Sequence, residues 1–202
     1  SLDKVFVATD NEEIFDIVEK YGGEALMTSS HHENGTERIA EAAKDINADI
    51  IVNVQGDEAL VNPIHIDSAV NSLIEDENIN ISILINKFSK KNSTGDIKAV
   101  IDENNNIMYL SRSDIPSNAR SKNNSFYKAY HIVPFRKYFL MEYSKWQKGS
   151  LEKIESNEYL RILEKGYKIR AVKVDSEAIS VDTVEDLHKV RELMKADNLF
   201  PE

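Results

Sequence analysis

Three acidic residues in two short stretches carry the chemistry this sequence offers. Asp57 and Glu58 follow the apolar run "DIIVNV", residues 49–54, by way of Gln55 and Gly56. Asp182 follows a second apolar run in "AISVDTVEDLHKV". In open α/β sheets, ligands bind outside the carboxyl ends of the strands. A carboxylate there can hold a divalent cation, and magnesium is commonly held by one or two carboxylates plus substrate phosphates. Asp57 and Asp182, brought together, would make a magnesium site for a nucleoside triphosphate and organise in-line attack on a phosphoryl group. Gly56 would let the backbone turn with no side chain in the way. A plain polar loop also accounts for Asp57 and Glu58. Asp182 also suits a simple pre-helix position, with Thr183 as N-cap and Glu185 and Asp186 in the first turn.

The elements that must position these acids alternate. "DKVFVATD" reads as a buried strand, and "NEEIFDIVEKYGG" as a helix with Ile14, Ile17, Val18 and Tyr21 on one face and Gly22 as its stop. "EALMTS" is a strand, "TERIAEAAKDIN" a helix capped near Thr36, and "DIIVNV" a strand too apolar to have a wet face. The second half is less regular. "NISILINKF" is a strand, and "IKAVIDENNNIMYLSRS" a hairpin around Asn104–Asn106. "IPSNARSKNNS" is a loop and "FYKAYHIVPF" a single strand. Helices are expected around 136–147 and 151–165, then the strand "YKIRAVKV" and a closing amphipathic helix, "TVEDLHKVRELMKA". This order predicts one α/β domain over 1–202, a Rossmann-like nucleotide-binding fold with a mainly parallel central sheet and a smaller antiparallel sub-sheet.

The bulk numbers narrow the function classes. A formal net charge of -10 argues against nucleic-acid binding through a broad basic face. The absence of cysteine excludes disulfides, thiolate metal sites and a cysteine nucleophile. No apolar run is long enough to span a membrane, and no signal-peptide pattern is present. A cytoplasmic protein without a membrane partner is expected.

The segments "VFVATDNEEI", "GGEALMTSSHHENGTERIAEAA", "ADIIVNVQGDEALVNP", "YLSRSDIP", "ILEKGYKIRAVKV" and "SVDTVEDLHKVR" together resemble the 3-deoxy-manno-octulosonate (Kdo) cytidylyltransferases, from residue 4 to about residue 194. The resemblance implies a nucleotidyltransferase fold and transfer of a cytidylyl group from CTP, with Mg2+, to the anomeric hydroxyl of an α-keto sugar acid for lipopolysaccharide synthesis. It also implies a homodimer. Matched residue by residue, it makes Asp57 and Asp182 the catalytic, magnesium-binding pair. Gly35, Thr36 and Arg38 fall near the nucleotide, Gln55 near nucleotide and sugar, and Glu158 in the sugar pocket. Lys98 and Arg112 lie in matching segments, without an assigned role. His32 also matches a family histidine; His31 does not, and two adjacent histidines share no helix or strand face, which argues against zinc. His65 and His188 read as surface positions on helices.

Two departures from the family pattern matter. The family begins with a strand and a loop that cradles the triphosphate, and Ser1 stands at what resembles the second strand. The expectation is a preceding segment; the alternative is a short, inactive chain. The sugar pocket also differs, with Ala129 for a family histidine, Val133 for a tyrosine and Tyr159 for a glutamine. His131, two residues from Ala129, would share its strand face at a shift of about 6–7 Å. His131 and Tyr159 are therefore further candidates for contact with the acceptor, with packing as the plainer reading of the histidine. Such changes move specificity, so an amino-substituted octulosonate or a nonulosonate is an alternative acceptor. A non-catalytic interaction protein built on the same scaffold is the third possibility.

Overall fold

The computed structural model describes residues 2–117, 119–120, 126–175 and 179–197. The chain opens with strand β1 (Phe6–Thr9), helix α1 (Glu12–Lys20) and strand β2 (Glu24–Met27). Asn11 caps α1 by accepting from the Ile14 amide, and Glu12 and Glu13 favour its positive end. β1 and β2 pair in parallel. Helix α2 (Gly35–Ala42) starts one residue before Thr36, the expected cap. Asn34, not Thr36, is its N-cap and accepts from the Glu37 amide. Strand β3 is Ile50–Val54 and helix α3 is Pro63–Ile74.

The second half supplies strands β4 (Ser82–Phe88), β5 (Lys98–Ile101), β6 (Ile107–Ser111), β7 (Phe126–Tyr130) and β8 (Ile132–Arg136). Helices α4 (Lys137–Tyr143), α5 (Ser150–Glu155) and α6 (Leu160–Glu164), strand β9 (Arg170–Lys173) and helix α7 (Val184–Met194) follow. The hairpin expected around Asn104–Asn106 joins β5 to β6. Five strands form a mixed sheet in the order β6-β5-β7-β4-β9. Within it β4 pairs in parallel with β9 and antiparallel with β7.

Three expectations need correction. "FYKAYHIVPF" is not one strand. It breaks at His131, with β7 in the mixed sheet and β8 paired antiparallel to β3. Most hydrogen-bonded strand pairs are therefore antiparallel, although the α/β class holds. The helix expected over 151–165 divides into α5 and α6, because Ser156 adopts φ 48, a left-handed conformation that ends α5. The first strand and helix are less buried than their apolar pattern predicts. Val5 and Val7 are exposed, and α1 has no buried residue, with Ile14 and Ile17 open to solvent. One edge of β1 is hydrogen-bonded to β2. β1 and β3 instead face a cavity of about 990 Å³, with Phe6, Ala8, Ile39, Ile51, Val52 and Ile74 among its lining residues.

The main core gathers Ile83 and Ile85 of β4, Val133 and Phe135 of β8, and Phe139, Leu140 and Tyr143 of α4. Fully burying each such side chain contributes about 1.5–3 kcal/mol. A smaller cluster of Ala69, Leu84, Tyr130 and Ile132 seats α3. The aromatic run at 138–146 is thus mostly core, with Phe139 and Tyr143 each in ring contact with Trp146 and Tyr138 exposed. No helix among the described residues is long and apolar enough to cross a membrane.

Candidate active site

The two segments that carry the aspartates are joined by backbone pairing. β3 ends at Val54, and the chain turns through Gln55 and Gly56 into Asp57 and Glu58. The Asp57 carbonyl accepts a hydrogen bond from the Val181 amide at 2.9 Å, which sets Asp182 beside the acidic turn. Glu58 Oε1 accepts from Ser180 Oγ at 3.0 Å and fastens the same two segments a second time. Asp57 is half-buried and Asp182 exposed. Burial, and then repulsion by Asp182, raise the Asp57 pKa. Asp57 Oδ1 is buried and has no hydrogen-bond partner among the described residues. Two hard carboxylate donors, one with an unsatisfied buried oxygen, fit a magnesium ion.

The remaining expected residues surround this turn to different degrees. The Gln55 amide donates to the His131 carbonyl at 3.4 Å, tying the end of β3 to the break between β7 and β8. Thr36 is fully buried; its hydroxyl donates to Glu158 Oε1 at 3.1 Å and accepts from Asn53 Nδ2 at 3.2 Å. The start of α2 and the turn between α5 and α6, expected near different substrates, are thus in direct contact. Burial raises the Glu158 pKa, so it is not the exposed helix position its sequence also allowed. Gly35 is the exposed first residue of α2. Arg38 spans the carboxyl ends of β1 and β2, donating to Thr28 Oγ1 at 2.7 Å, to the Ser29 carbonyl at 3.2 Å and to Asp10 Oδ2 at 3.0 Å.

Several residues sit otherwise than expected. Ala129 and Val133 are fully buried in the main core. His131 lies at the strand break and does not share Ala129's strand face. Its ring stacks on Tyr159, with centroids 6.2 Å apart and planes at 21°. Burial pushes its pKa down to about 4. Lys98 is completely buried and donates to the carbonyls of Asp96 and Arg112. Arg112 holds the carbonyls of Thr94, Glu155 and Ser156. Both cations therefore brace loops. His65 is not a plain surface residue, since its ring meets Tyr130 edge-on at 5.8 Å. His32 pairs with Glu41, while His31 and His188 are exposed. A Cβ at Gly56 would meet nothing within 4 Å, and its φ is not left-handed, so the turn itself does not demand glycine there.

Residues 1–169 match the family model described as "Cytidylyltransferase". The 3-deoxy-manno-octulosonate cytidylyltransferase of Fusobacterium nucleatum is 39% identical over 203 residues, an alignment spanning 98% of this chain and 83% of the relative. That of Chlorobium phaeobacteroides is 41% identical over 199 residues, spanning 96% of this chain and 81% of the relative. A solved CMP:2-keto-3-deoxy-manno-octonic acid synthetase complexed with CTP superposes with a TM-score of 0.91 at 31% identity, covering 96% of this chain and 82% of that one. The chain belongs to the cytidylyltransferase family.

Within this cytidylyltransferase, sequence reasoning singled out Glu58 beside Asp57 without giving it a partner, and passed over Ser180. Glu58 is almost entirely buried, and its Oε2 has no hydrogen-bond partner among the described residues. The signal available was its adjacency to Asp57, which also fits a solvated loop. Nothing in the sequence pairs Ser180 with a residue 122 positions earlier.

Proposed function

We propose that this cytidylyltransferase joins CMP from CTP to the anomeric hydroxyl of 3-deoxy-manno-octulosonate or a close relative, releasing pyrophosphate. The observation that supports the reading is the Val181 amide bound to the Asp57 carbonyl, which joins the segment of Asp182 to the turn after β3 that carries Asp57. Asp57 and Asp182 would hold Mg2+, which when bound supplies charge neutralisation at the phosphates and acidifies a coordinated hydroxyl. The chain's own residues orient the reactants. Arg38 and the start of α2 lie toward the nucleotide. Gln55 and Glu158, with His131 and Tyr159, lie toward the sugar. The acceptor oxygen attacks the α-phosphorus, its bond to CTP's pyrophosphate breaks, and the hydroxyl proton leaves to solvent or base. No covalent enzyme intermediate is required. A cytoplasmic homodimer completes the reading, and light scattering checks the assembly.

The acceptor is open to a second reading. Ala129 and Val133 offer no polar atom where the family pattern has a histidine and a tyrosine, and both are sealed in the core. This favours a relative of Kdo, such as an amino-substituted octulosonate or a nonulosonate. The test is pyrophosphate release from CTP and Mg2+ with a panel of α-keto sugar acids. Release with at least one of them supports transfer, and preference for Kdo over every relative would end the second reading.

A further inference from the structure

Neighbouring residues in the first turn of α2 are gripped by different parts of the molecule. Arg38 holds Asp10, Thr28 and Ser29 at the carboxyl ends of β1 and β2. Glu37 is held by α6, its Oε1 accepting from Arg161 Nη2 at 3.0 Å. Arg161 is itself fixed. Its Nε and Nη2 take both oxygens of buried Glu152 in α5, at 2.7 and 2.6 Å, and its Nη1 donates to the Trp146 carbonyl at 3.0 Å. Every nitrogen of the buried guanidinium therefore has an acceptor. A buried ion pair adds little net stability over apolar packing of the same volume. What a two-pronged arginine–carboxylate pair adds is fixed geometry. Glu164 of α6 locks the same two helices again, accepting from Ser150 Oγ at 2.8 Å and from the Leu151 amide at 3.0 Å. The first turn of α2 thus rests on a braced α5–α6 unit through Glu37–Arg161 and Thr36–Glu158.

We propose that Arg161 is a positioning residue: through Glu37 it sets the first turn of α2 against the α5–α6 turn, so that CTP and the acceptor strengthen each other's binding. This rests on the transfer reading above, in which Arg38 and the start of α2 lie toward the nucleotide and Glu158 toward the sugar. Two ligands couple when both bias the arrangement of one element. The first turn of α2 is that element, because its residues reach both sides. On the Arg38 side it has little rigid support, since α1 has no buried residue and Val5 and Val7 beside it are exposed. A ligand that orders the turn from one side leaves less ordering for the ligand on the other. The two ligands must then raise each other's affinity by the same factor.

Initial rates of pyrophosphate release over a grid of CTP and acceptor concentrations test this in the intact protein, with Mg2+ and the panel sugar acid it turns over fastest. The readout is a ratio: the half-saturating CTP concentration at vanishing acceptor over that at saturating acceptor. The parent should give a ratio of at least about 5. Glu37→Ala removes the bond from Arg161 to α2 and leaves Arg161 both oxygens of Glu152, so no buried charge is stranded. In this variant the ratio should fall to within about twofold of unity. The rate with both substrates saturating should stay within about threefold of the parent's, because the lost contact serves binding. A ratio of unity in the parent, or the parent's ratio kept in Glu37→Ala, would overturn the coupling while leaving the transfer reading intact. So would a fall in the saturated rate with the ratio unmoved, which is the mark of a structural role alone. If Glu37→Ala does not fold, Glu37→Gln, which keeps the length of the side chain and drops its charge, is held to the same ratio. A parent that releases no pyrophosphate with any acceptor would overturn both.

Discussion

At the scale of single residues the account turns on Asp57. Its carboxyl is partly removed from water and faces Asp182, and both effects favour the protonated form. The folded-state pKa is therefore raised above the unfolded one. The stability this confers is full at pH below the unfolded value and is lost as pH rises through the raised folded value. Cation-free protein should accordingly lose stability across that window, and excess Mg2+ should restore it. Denaturation midpoints measured against pH, with and without the ion, check this; an identical pH slope in both series would contradict it. Asp57 was legible because β3 runs into it, and a strand ending in carboxylates is a recognisable pattern; Asp182 follows no strand among the described residues. Tyr159 and Glu58 were less so, since burial of a polar tip depends on neighbours far away in sequence.

At the scale of elements, Arg161 of α6 is the fastener that fixes the turn carrying Glu158. It is fully buried, bonds both oxygens of Glu152 at 2.7 and 2.6 Å, reaches Glu37 of α2 at 3.0 Å and lies over the Tyr143 ring. Removing one partner of a buried pair strands the other charge. Arg161→Met should therefore cost about 3–5 kcal/mol, read by denaturant unfolding. A loss below about 1 kcal/mol would mean that solvent reaches Glu152. The division into α5 and α6 that this network spans was not readable from periodicity. It depends on one left-handed residue, Ser156, a type with no strong preference for that conformation. The break at His131 was hidden for a related reason. An apolar run looks the same whether it stays in one sheet or passes between two, and only the partners of β7 and β8 separate the cases.

At the scale of the whole molecule, stability is unevenly spread. β4 lies inside the mixed sheet with neighbours on both edges, and Ile83, Leu84 and Ile85 are completely buried. β1 and β2 form a two-stranded ribbon that packs against an exposed α1 and borders the large cavity. Isolated two-stranded pairs are marginal in water. Amides of β1 and β2 should therefore exchange with solvent well before those of β4 and β7. Equal protection across the two sheets, measured by hydrogen exchange, would show that the ribbon is held more firmly than its contacts indicate. The alternation of strands and helices gave the α/β class correctly. It could not give which edges pair, because pairing depends on long-range register and not on local pattern.

The claim on which the account stands is that Asp57 and Asp182 act as one unit in cytidylyl transfer. Single-turnover pyrophosphate release with CTP, Mg2+ and an accepted sugar acid tests it in the parent, in Asp57→Asn, in Asp182→Asn and in the double variant. The account predicts that each single change lowers the rate at least about 100-fold, and that the double change does little further harm, because groups acting as a unit are not additive. Turnover near the parent rate in the double variant would contradict it.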